Sequence, residues 1–234
     1  MRHARWAAAL ATLALAGSAA ACGGSGKQGG TIPQGVDGTV IFRDALDDNR
    51  NGWLHVPQTP FRSGVYVWND VPQKFDVSSA PDTLIGKRLP SGVSVSVGVE
   101  QRQGAALRMI ACRESGEDGT SHHVAYQLGV DGRQALIRLW HEHGQPPQVL
   151  AHKPLAVANG RAVTLNARCL EEGDGAVALT LRVDGRTTVQ ATDDHPLPDG
   201  DVALHAIARA DTDRPPSLAW DDFVLRALRA GSEA

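Results

Sequence analysis

Residues 93–100 read Val-Ser-Val-Ser-Val-Gly-Val-Glu, and this stretch decides the fold class because apolar and polar side chains alternate along it without a break. Successive side chains of a β-strand point to opposite faces, so a period of two predicts a strand with one buried face. The same period recurs at 124–130, 163–169 and 177–183. The body of the chain therefore predicts antiparallel sheets that each bury one face.

Turn residues support the same prediction. Asp-Gly pairs stand at 131–132 and 184–185, each between two alternating runs, and this arrangement is a strong signal for a β-hairpin. Further strands are expected at 39–44, 64–69, 106–112, 135–142, 202–209 and 218–228. No segment after the first 22 residues keeps the 3.6-residue period of a helix, so we predict an all-β sandwich or barrel.

The first 22 residues have the pattern of a bacterial lipoprotein export signal. Arg2 and Arg5 precede an apolar run of about ten residues, which is too short to span a bilayer as a helix. Residues 19–22, Ala-Ala-Ala-Cys, resemble the lipobox, in which the cysteine thiol receives a diacylglycerol. We predict a signal peptide over 1–21 and lipidation of Cys22, with secretion without a lipid as the alternative.

Residues 22–38 are rich in glycine and would form a flexible tether to a single domain over 39–230. More than one acyl chain on Cys22, palmitate included, would anchor the chain stably, whereas one chain binds only marginally. We therefore expect a protein held by its N-terminal lipid at the outer face of the cell membrane. The net charge of −3 gives no basic footprint, so no nucleic-acid partner is expected.

The chain has three cysteines, and lipidation of Cys22 leaves Cys112 and Cys169, each inside a predicted strand. Export brings the chain into an oxidising compartment, so we predict a disulfide between them, with two free buried thiols as the alternative. The bridge would close a loop of about 57 residues, which stabilises the fold by roughly 4 kcal/mol in the chain-entropy model. No C-x-x-C motif is present, so redox or zinc chemistry at these residues has no support.

Several segments, in their order along the chain, resemble a known family. They are Phe42-Arg43-Asp44 with Asp47–Trp53, then Gly64-Val65-Tyr66-Val67-Trp68, the strands of Cys112 and Cys169, and Trp220-Asp221-Asp222-Phe223-Val224-Leu225. Together they resemble the concanavalin A-like, laminin-G-like jelly rolls carried by lipoproteins and sensor proteins of high-GC Gram-positive bacteria. The resemblance implies a two-sheet antiparallel jelly-roll sandwich, neighbouring first and last strands, and a bridged cysteine pair. Residues 70–92 depart from the family pattern.

One loop has part of a calcium motif. Asp47, Asn49 and Asn51, followed by Gly52, match the first half of an EF-hand loop, in which short oxygen-bearing side chains wrap the ion. The twelfth position, which should be glutamate, is Gln58. An Asx-rich turn that ends in glycine is the alternative, so we expect no metal or cofactor and keep the three loop residues as candidate ligands.

Histidines cluster near the end of one predicted hairpin. His141 and His143 would point to one face of a strand, and His122 and His123 begin its hairpin partner. Zinc sites use three or four ligands, and paired strands can supply them. No established zinc spacing such as H-E-x-x-H is present, so a polar outer face is the preferred interpretation.

The sequence contains no known catalytic motif. The Glu-x-Asp-x-x-Glu strand of laminarinase-like jelly rolls is absent, and so is G-x-S-x-G. We therefore expect no enzyme.

Trp68 and Trp140 are candidates to stack on sugar rings, with burial in the core as the alternative. The predicted function is a non-catalytic binding or spacer module at the cell envelope, with a glycan or protein partner. A glycan-active hydrolase on the same fold is the alternative.

Overall fold

A computed structural model of the chain describes residues 38–54, 56–74, 76–116, 123–141 and 146–228. These residues form fourteen β-strands and no helix, as the alternating pattern predicts. Accordingly, no helix that could cross a bilayer is found within these ranges. The predicted signal peptide, Cys22 and the tether up to residue 37 lie outside the described residues.

Eight strands make up the first sheet, and every pairing in it is antiparallel. In spatial order they are β12 (Arg186–Asp193), β11 (Val177–Val183), β10 (Ala162–Glu171), β5 (Val93–Gln103), β14 (Ser217–Ala227), β3 (Val65–Trp68) and β2 (Phe61–Arg62), with β1 (Thr39–Asp44) also paired to β14. The first and last strands are therefore neighbours, as the family resemblance implies.

Six strands make up the second sheet, which is also antiparallel throughout. In spatial order they are β4 (Val77–Ser79), β13 (Asp201–Ala208), β6 (Ala106–Gly116), β7 (His123–Val130), β8 (Gln134–His141) and β9 (Gln148–Pro154). The strands β4 and β9 were not expected, because neither segment shows a sustained alternation. Both are edge strands of the sheet, and an edge strand has a neighbour on one side only, so its sequence pattern is less constrained.

The core lies between the two sheets and is built by the alternation seen in the sequence. Val95, Val97 and Val99 on β5 are at most 1% exposed and belong to the same buried cluster as Ile110 on β6 and Leu128 on β7. Because side chains alternate along each strand, the residues between these point to the outer face of their sheet. The two outer faces are therefore where a polar site can form.

Both predicted Asp-Gly hairpins are present, joining β7 to β8 and β11 to β12. In the second, Asp184 and Gly185 have φ values of 51° and 76°. A two-residue turn with positive φ at both positions matches the right-handed twist of the strands, and aspartate and glycine tolerate that conformation best. The turn residues therefore determine which strands pair.

Cys112 on β6 and Cys169 on β10 are joined by a disulfide, as predicted. The two strands belong to different sheets, so the bond crosses the core. Both residues are about 1% exposed, and Cys112 and Cys169 lie inside the main apolar cluster. The bridge thus ties the two layers of the sandwich together.

Candidate functional site

Five charged or polar side chains meet on the outer face of the six-stranded sheet: Asp76, Glu114, Gln127, Arg138 and His205. Four of them come from different strands, β6, β7, β8 and β13, and Asp76 comes from the segment just before β4. Tyr126 and Leu128 face the core, so Gln127 between them points outward, and Leu204 and Ala206 turn His205 outward in the same way. We call these five residues the charged cluster.

The members of the charged cluster contact one another directly. His205 Nε2 lies 3.0 Å from a carboxylate oxygen of Glu114. Asp76 accepts hydrogen bonds from Gln127 at 2.8 Å and from Arg138 at 2.9 Å, and its carboxylate lies 3.8 Å from the ring of His205. The side chain of His205 is fully buried and that of Asp76 is 3% exposed, so these charges interact with little screening by water.

The charges in the cluster shift one another's pKa values. Burial by itself would lower the pKa of His205, but Glu114 and Asp76 raise it to about 9. Burial would raise the pKa of both carboxyls, yet their contacts with His205, and for Asp76 also Arg138, hold both pKa values below the ordinary range. Glu114 and Asp76 are therefore carboxylates near neutral pH.

Hydrogen-bond geometry and charge favour different protonation states of the His205 ring. Arg138 donates to the side-chain oxygen of Gln127 at 2.6 Å, so the Gln127 amide turns its NH₂ group toward Nδ1 of His205, 2.7 Å away. That contact favours an unprotonated Nδ1. A neutral ring, however, would leave the two carboxylates of Asp76 and Glu114 with Arg138 as the one buried cation beside them. The free-energy cost of that unbalanced buried charge is larger than the cost of the unfavourable contact between Gln127 and a protonated Nδ1. We therefore assign the cationic ring to His205.

A cleft of about 580 Å³ opens beside the charged cluster, at the end of the six-stranded sheet. Glu114 belongs both to the charged cluster and to the lining of this cleft, and its side chain is 13% exposed. The other polar residues of the lining are Ser78, Ser79, Asp82, Ser115, His123 and Asp201. Leu54 and Ile85 form apolar parts of the wall and are 42% and 55% exposed. We call this cavity the acidic cleft.

Two carboxyl groups lie side by side in the lining of the acidic cleft. Asp201 on β13 is the register partner of Glu114 on β6. Partial burial and the nearby charge of Glu114 raise the pKa of Asp201 above its ordinary value. The second oxygen of Glu114 lies 3.8 Å from Nδ1 of His123. The cleft therefore offers a hydrogen-bond acceptor that stays charged and, beside it, a carboxyl that takes up a proton more readily.

Comparison with known proteins shows likeness at the level of the fold. No protein-family model matches the sequence, and no curated protein matches it as a relative. Among solved structures, a Bacillus subtilis protein of unknown function with a galectin-like fold has a TM-score of 0.61 at 13% identity, over 82% of this chain and 98% of that one. The chain folds as a concanavalin A-like jelly roll.

Two other solved structures show the same jelly roll in proteins that act on or bind carbohydrate. The carbohydrate-binding module CBM66 from Bacillus subtilis has a TM-score of 0.50 at 13% identity, over 83% of this chain and 99% of that one. A Bacillus licheniformis β-glucanase has a TM-score of 0.53 at 11% identity, over 79% of this chain and 96% of that one. At these identities the likeness establishes the architecture only.

Trp68 does not lie on the surface of the jelly roll, and its prediction as a stacking residue is wrong. Its side chain is 1% exposed and packs edge-to-face against Trp220 at 5.4 Å and Tyr66 at 5.8 Å between ring centroids. Trp68 pairs with Leu218 of β14, and both face the core. The alternation along β3 determines this, because Tyr66 and Trp68 share the buried face.

Trp140 is half-buried and lies on the outer face, beside the acidic cleft. It packs edge-to-face on His205, with ring centroids 5.2 Å apart. Like Ala80, it packs against an apolar cluster that includes Ala203, and both of these alanines line the cleft. Trp140 therefore remains a candidate for contact with a ligand.

The histidines near the β7–β8 hairpin do not share one face. His141 is the register partner of Val124, so both point to the same side of the sheet. His123 precedes Val124 and points to the other side, where it lines the acidic cleft. The zinc interpretation needed His123 and His141 on one face and is therefore wrong for this pair; His122, Glu142 and His143 lie outside the described residues.

The loop with part of a calcium motif is held by hydrogen bonds to a buried carboxylate. Asp44 accepts from the amide of Asn51 and the indole of Trp53, both at 2.7 Å. Asp47 and Asn49 are exposed and do not turn inward. The backbone amide of Arg50 donates to the side chain of Asp48, as in an Asx turn. No group of three histidine, cysteine or acidic side chains able to hold a metal occurs in the described parts of the chain.

Sequence reasoning missed the site that the structure assembles. Asp76, Glu114 and His205 come from positions far apart in the chain, so no local spacing joins them. Two signals were available, and the first is that His205 occupies an outward position of the alternating run over 202–209. The irregular segment 70–92 is the second signal, because it supplies Asp76, β4 and the cleft residues from Ser78 to Ile85.

Proposed function

We propose that this protein is a lipid-anchored, extracytoplasmic binding protein whose jelly roll holds an envelope glycan in the acidic cleft without cleaving it. The observation that carries the proposal is the cleft itself, with Glu114, Asp201 and His123 beside the apolar surfaces of Leu54 and Ile85. The export signal and lipobox at Cys22 support the location, and the carbohydrate-binding relatives of the fold support the ligand class.

The lining suits a sugar because it combines two kinds of surface. Carboxylates, hydroxyls and imidazole can pair with sugar hydroxyl groups, whereas Leu54 and Ile85 offer apolar contact to the C–H faces of a pyranose ring. About 580 Å³ accommodates a ligand of one or two sugar units. Trp140, on the same outer face, extends the apolar surface beyond the cleft.

A binding screen tests the proposal. The full-length chain in detergent is probed against soluble glycans and cell-wall polymers, together with the Glu114→Gln and Ile85→Ser variants. We expect one glycan class to bind, and both variants to weaken it, whereas Asp222→Asn on the opposite sheet leaves it unchanged. If no glycan binds, or if both cleft variants bind as well as the unaltered chain, the acidic cleft is not the site.

The location is tested separately through Cys22. In the native host the unaltered chain is expected in the membrane fraction, and Cys22→Ser in the medium or the soluble extracytoplasmic fraction. A Cys22→Ser variant that stays in the membrane fraction contradicts lipid anchoring. Intact mass of the purified protein reports the lipid directly.

A glycan hydrolase is the second candidate, favoured by the neighbouring carboxyls of Glu114 and Asp201. A carboxylate beside a carboxyl that holds its proton more readily is the arrangement that glycosidases use for base and acid. Against it, His205 occupies one oxygen of Glu114. New reducing ends on the bound glycan, lost in both Glu114→Gln and Asp201→Asn, would identify a hydrolase; their absence leaves a binding protein.

A further inference from the structure

Arginines are concentrated on the outer face of the eight-stranded sheet. Cys169 faces the core, so its neighbour Arg168 points outward from β10. The same alternation turns Arg43, Arg182 and Arg226 to the outer face. Arg43 is exposed and the other three are half-buried. The whole chain has a net charge of −3, so this excess of positive charge is local. We call these four residues the arginine face.

The register of the strands places the four arginines in two adjacent rows across the sheet. From β14 to β12, the first row is Arg226, Ser94, Arg168, Thr180 and Gln190. From β1 to β12, the second row is Arg43, Val224, Ser96, Asn166, Arg182 and Thr187. Neither row contains an acidic residue. Because neighbouring strands lie about 4.8 Å apart, the arginines spread over roughly 20 Å of the sheet and do not gather in one pocket.

Acidic residues flank the two rows without entering them. On the same face they are Glu100, Asp184, Asp221 and Asp222, and at the tip of the β10–β11 hairpin they are Glu172 and Asp174. The first two are balanced locally by Arg102 and Arg161. Asp221 pairs with Gly98, about 7 Å beyond Ser96 of the second row. Since the Debye length is about 8 Å in physiological salt, an anionic surface lying on the two rows interacts chiefly with the arginines.

The arginine face lies next to the point where the predicted tether joins the domain. Thr39 pairs with Ala227, the residue after Arg226, and the guanidinium of Arg226 donates to the carbonyl oxygen of Gly38 at 2.7 Å. In the sequence, residues 23–37 separate Cys22 from Gly38. A glycine-rich chain of that length spans roughly 20 Å on average, so a lipid on Cys22 would hold this face close to the bilayer.

We propose that the arginine face docks on the membrane itself, on the headgroups of anionic phospholipids in the bilayer that holds the lipid of Cys22. The inference rests on the proposed lipid anchoring and adds the orientation of the domain. Arginine suits the phosphate of a headgroup because its planar guanidinium offers several donors at once. Each arginine close to an anionic bilayer strengthens binding about fivefold, and an anchored domain needs only a modest difference between its faces to favour one.

The two layers of the sandwich differ in charge, which favours the same orientation. Asp82, Glu114 and Asp201 line the acidic cleft of the six-stranded sheet, and its described lining contains neither lysine nor arginine. An anionic bilayer would repel that side of the domain. Docking through the arginine face therefore turns the acidic cleft away from the membrane, toward the space in which an envelope glycan would be met.

Energy transfer from a dye on the protein to an acceptor dye on the lipid headgroups tests the orientation. The lipidated full-length chain is placed in vesicles of phosphatidylglycerol and phosphatidylcholine. Thr187→Cys puts the dye on the second row, and Val149→Cys puts it at a 54% exposed position of the six-stranded sheet. Cys112 and Cys169 are bridged and Cys22 carries the lipid in this preparation, so only the added thiol is labelled.

We expect stronger transfer from the dye on Thr187 than from the dye on Val149 in the mixed vesicles, and a smaller difference in vesicles of phosphatidylcholine alone. About 1 M salt shortens the Debye length to about 3 Å and should reduce the difference in the same way. Arg43→Gln combined with Arg168→Gln should lower the ratio of docked to undocked domain roughly 25-fold, about fivefold for each arginine.

The matched control is Lys74→Gln with Lys153→Gln, which removes two positive charges at exposed positions outside the arginine face. We expect this variant to dock like the unaltered chain. Unchanged near-ultraviolet circular dichroism confirms that each variant is folded.

Equal transfer from the two dyes in mixed vesicles overturns the docking, and so does a difference that phosphatidylcholine or salt leaves intact. An equal loss in the control variant overturns it as well. If soluble polyphosphate binds the arginine face while the dye on Thr187 stays far from the bilayer, the face binds an envelope polymer instead. A chain that does not stay with the vesicles at all contradicts the proposed lipid anchoring. Glycan binding in detergent is independent of all these results.

Discussion

Raising the pH from 6.5 to 9.5 is expected to weaken the fold through one side chain, His205. Its ring is fully buried, with Glu114 at 3.0 Å on one nitrogen and Asp76 at 3.8 Å from the other. Arg138 and Gln127 complete its polar surroundings, and Trp140 covers it edge-on. When His205 loses its proton, the buried carboxylates lose the cation between them.

The magnitude follows from the pKa of His205, which is about 9 in the folded chain against an ordinary 6.5. A pKa raised by folding stabilises the native state fully below pH 6.5, and that stabilisation is lost as the pH rises toward 9. Each pH unit in this window removes about 1.4 kcal/mol, so the free energy of unfolding falls by about 3 kcal/mol in total. Asp76 and Glu114 affect stability at acidic pH instead. Their pKa values are lowered in the folded chain, so the stabilisation that they contribute is lost only as the pH falls and they become protonated.

The assay is urea unfolding at pH 6.5 and 9.5 for the unaltered chain and for His205→Gln, which cannot titrate. We expect the loss of about 3 kcal/mol in the unaltered chain and a much smaller change in the variant. Nuclear magnetic resonance of the unaltered chain reports the ring directly, so the test does not depend on the variant folding. A neutral His205 ring at pH 7, with the proton on Nε2, would refute the reasoning and show that the Gln127 contact determines the protonation state.

Three further predictions concern stability. Asp76→Asn leaves Arg138 buried without its carboxylate and should lower the free energy of unfolding by about 3 kcal/mol. Asp48→Asn makes the same change at an exposed ion pair and should leave the urea midpoint unchanged. Equal effects of the two substitutions would contradict the role of burial. Replacing both Cys112 and Cys169 by alanine should lower it by roughly 4 kcal/mol, since the bridge closes a loop of 57 residues, and thermal unfolding measures this. Arg108→Met should raise the urea midpoint of unfolding by the equivalent of about 1 to 3 kcal/mol. Arg108 is 1% exposed and lies in the core, where Gln101 is its hydrogen-bond partner and two of its guanidinium nitrogens have none. A less stable variant would show that the guanidinium is needed there.

Local sequence was sufficient to predict most of the strands and two of the turns. Alternation assigns Val95, Val97 and Val99 to the core, because successive side chains point to opposite faces of the sheet and the apolar face is the buried one. The Asp-Gly turns define their hairpins through the positive φ that these residues accept. The pairing of Cys112 with Cys169 was predicted from the expected export and from the count of cysteines, without any knowledge of distance.

Tertiary structure decided which polar residues act together. Trp68 and Trp140 are both expected as stacking residues, yet Trp68 is enclosed by Trp220 and Tyr66 whereas Trp140 is half-buried on the outer face beside the cleft. Asp76 and His205 meet because a segment with no periodic pattern crosses beside β13. Periodicity reports which face a side chain takes within its own strand, whereas strand order and the path of irregular segments determine its neighbours. The acidic cleft therefore emerged only from the folded chain.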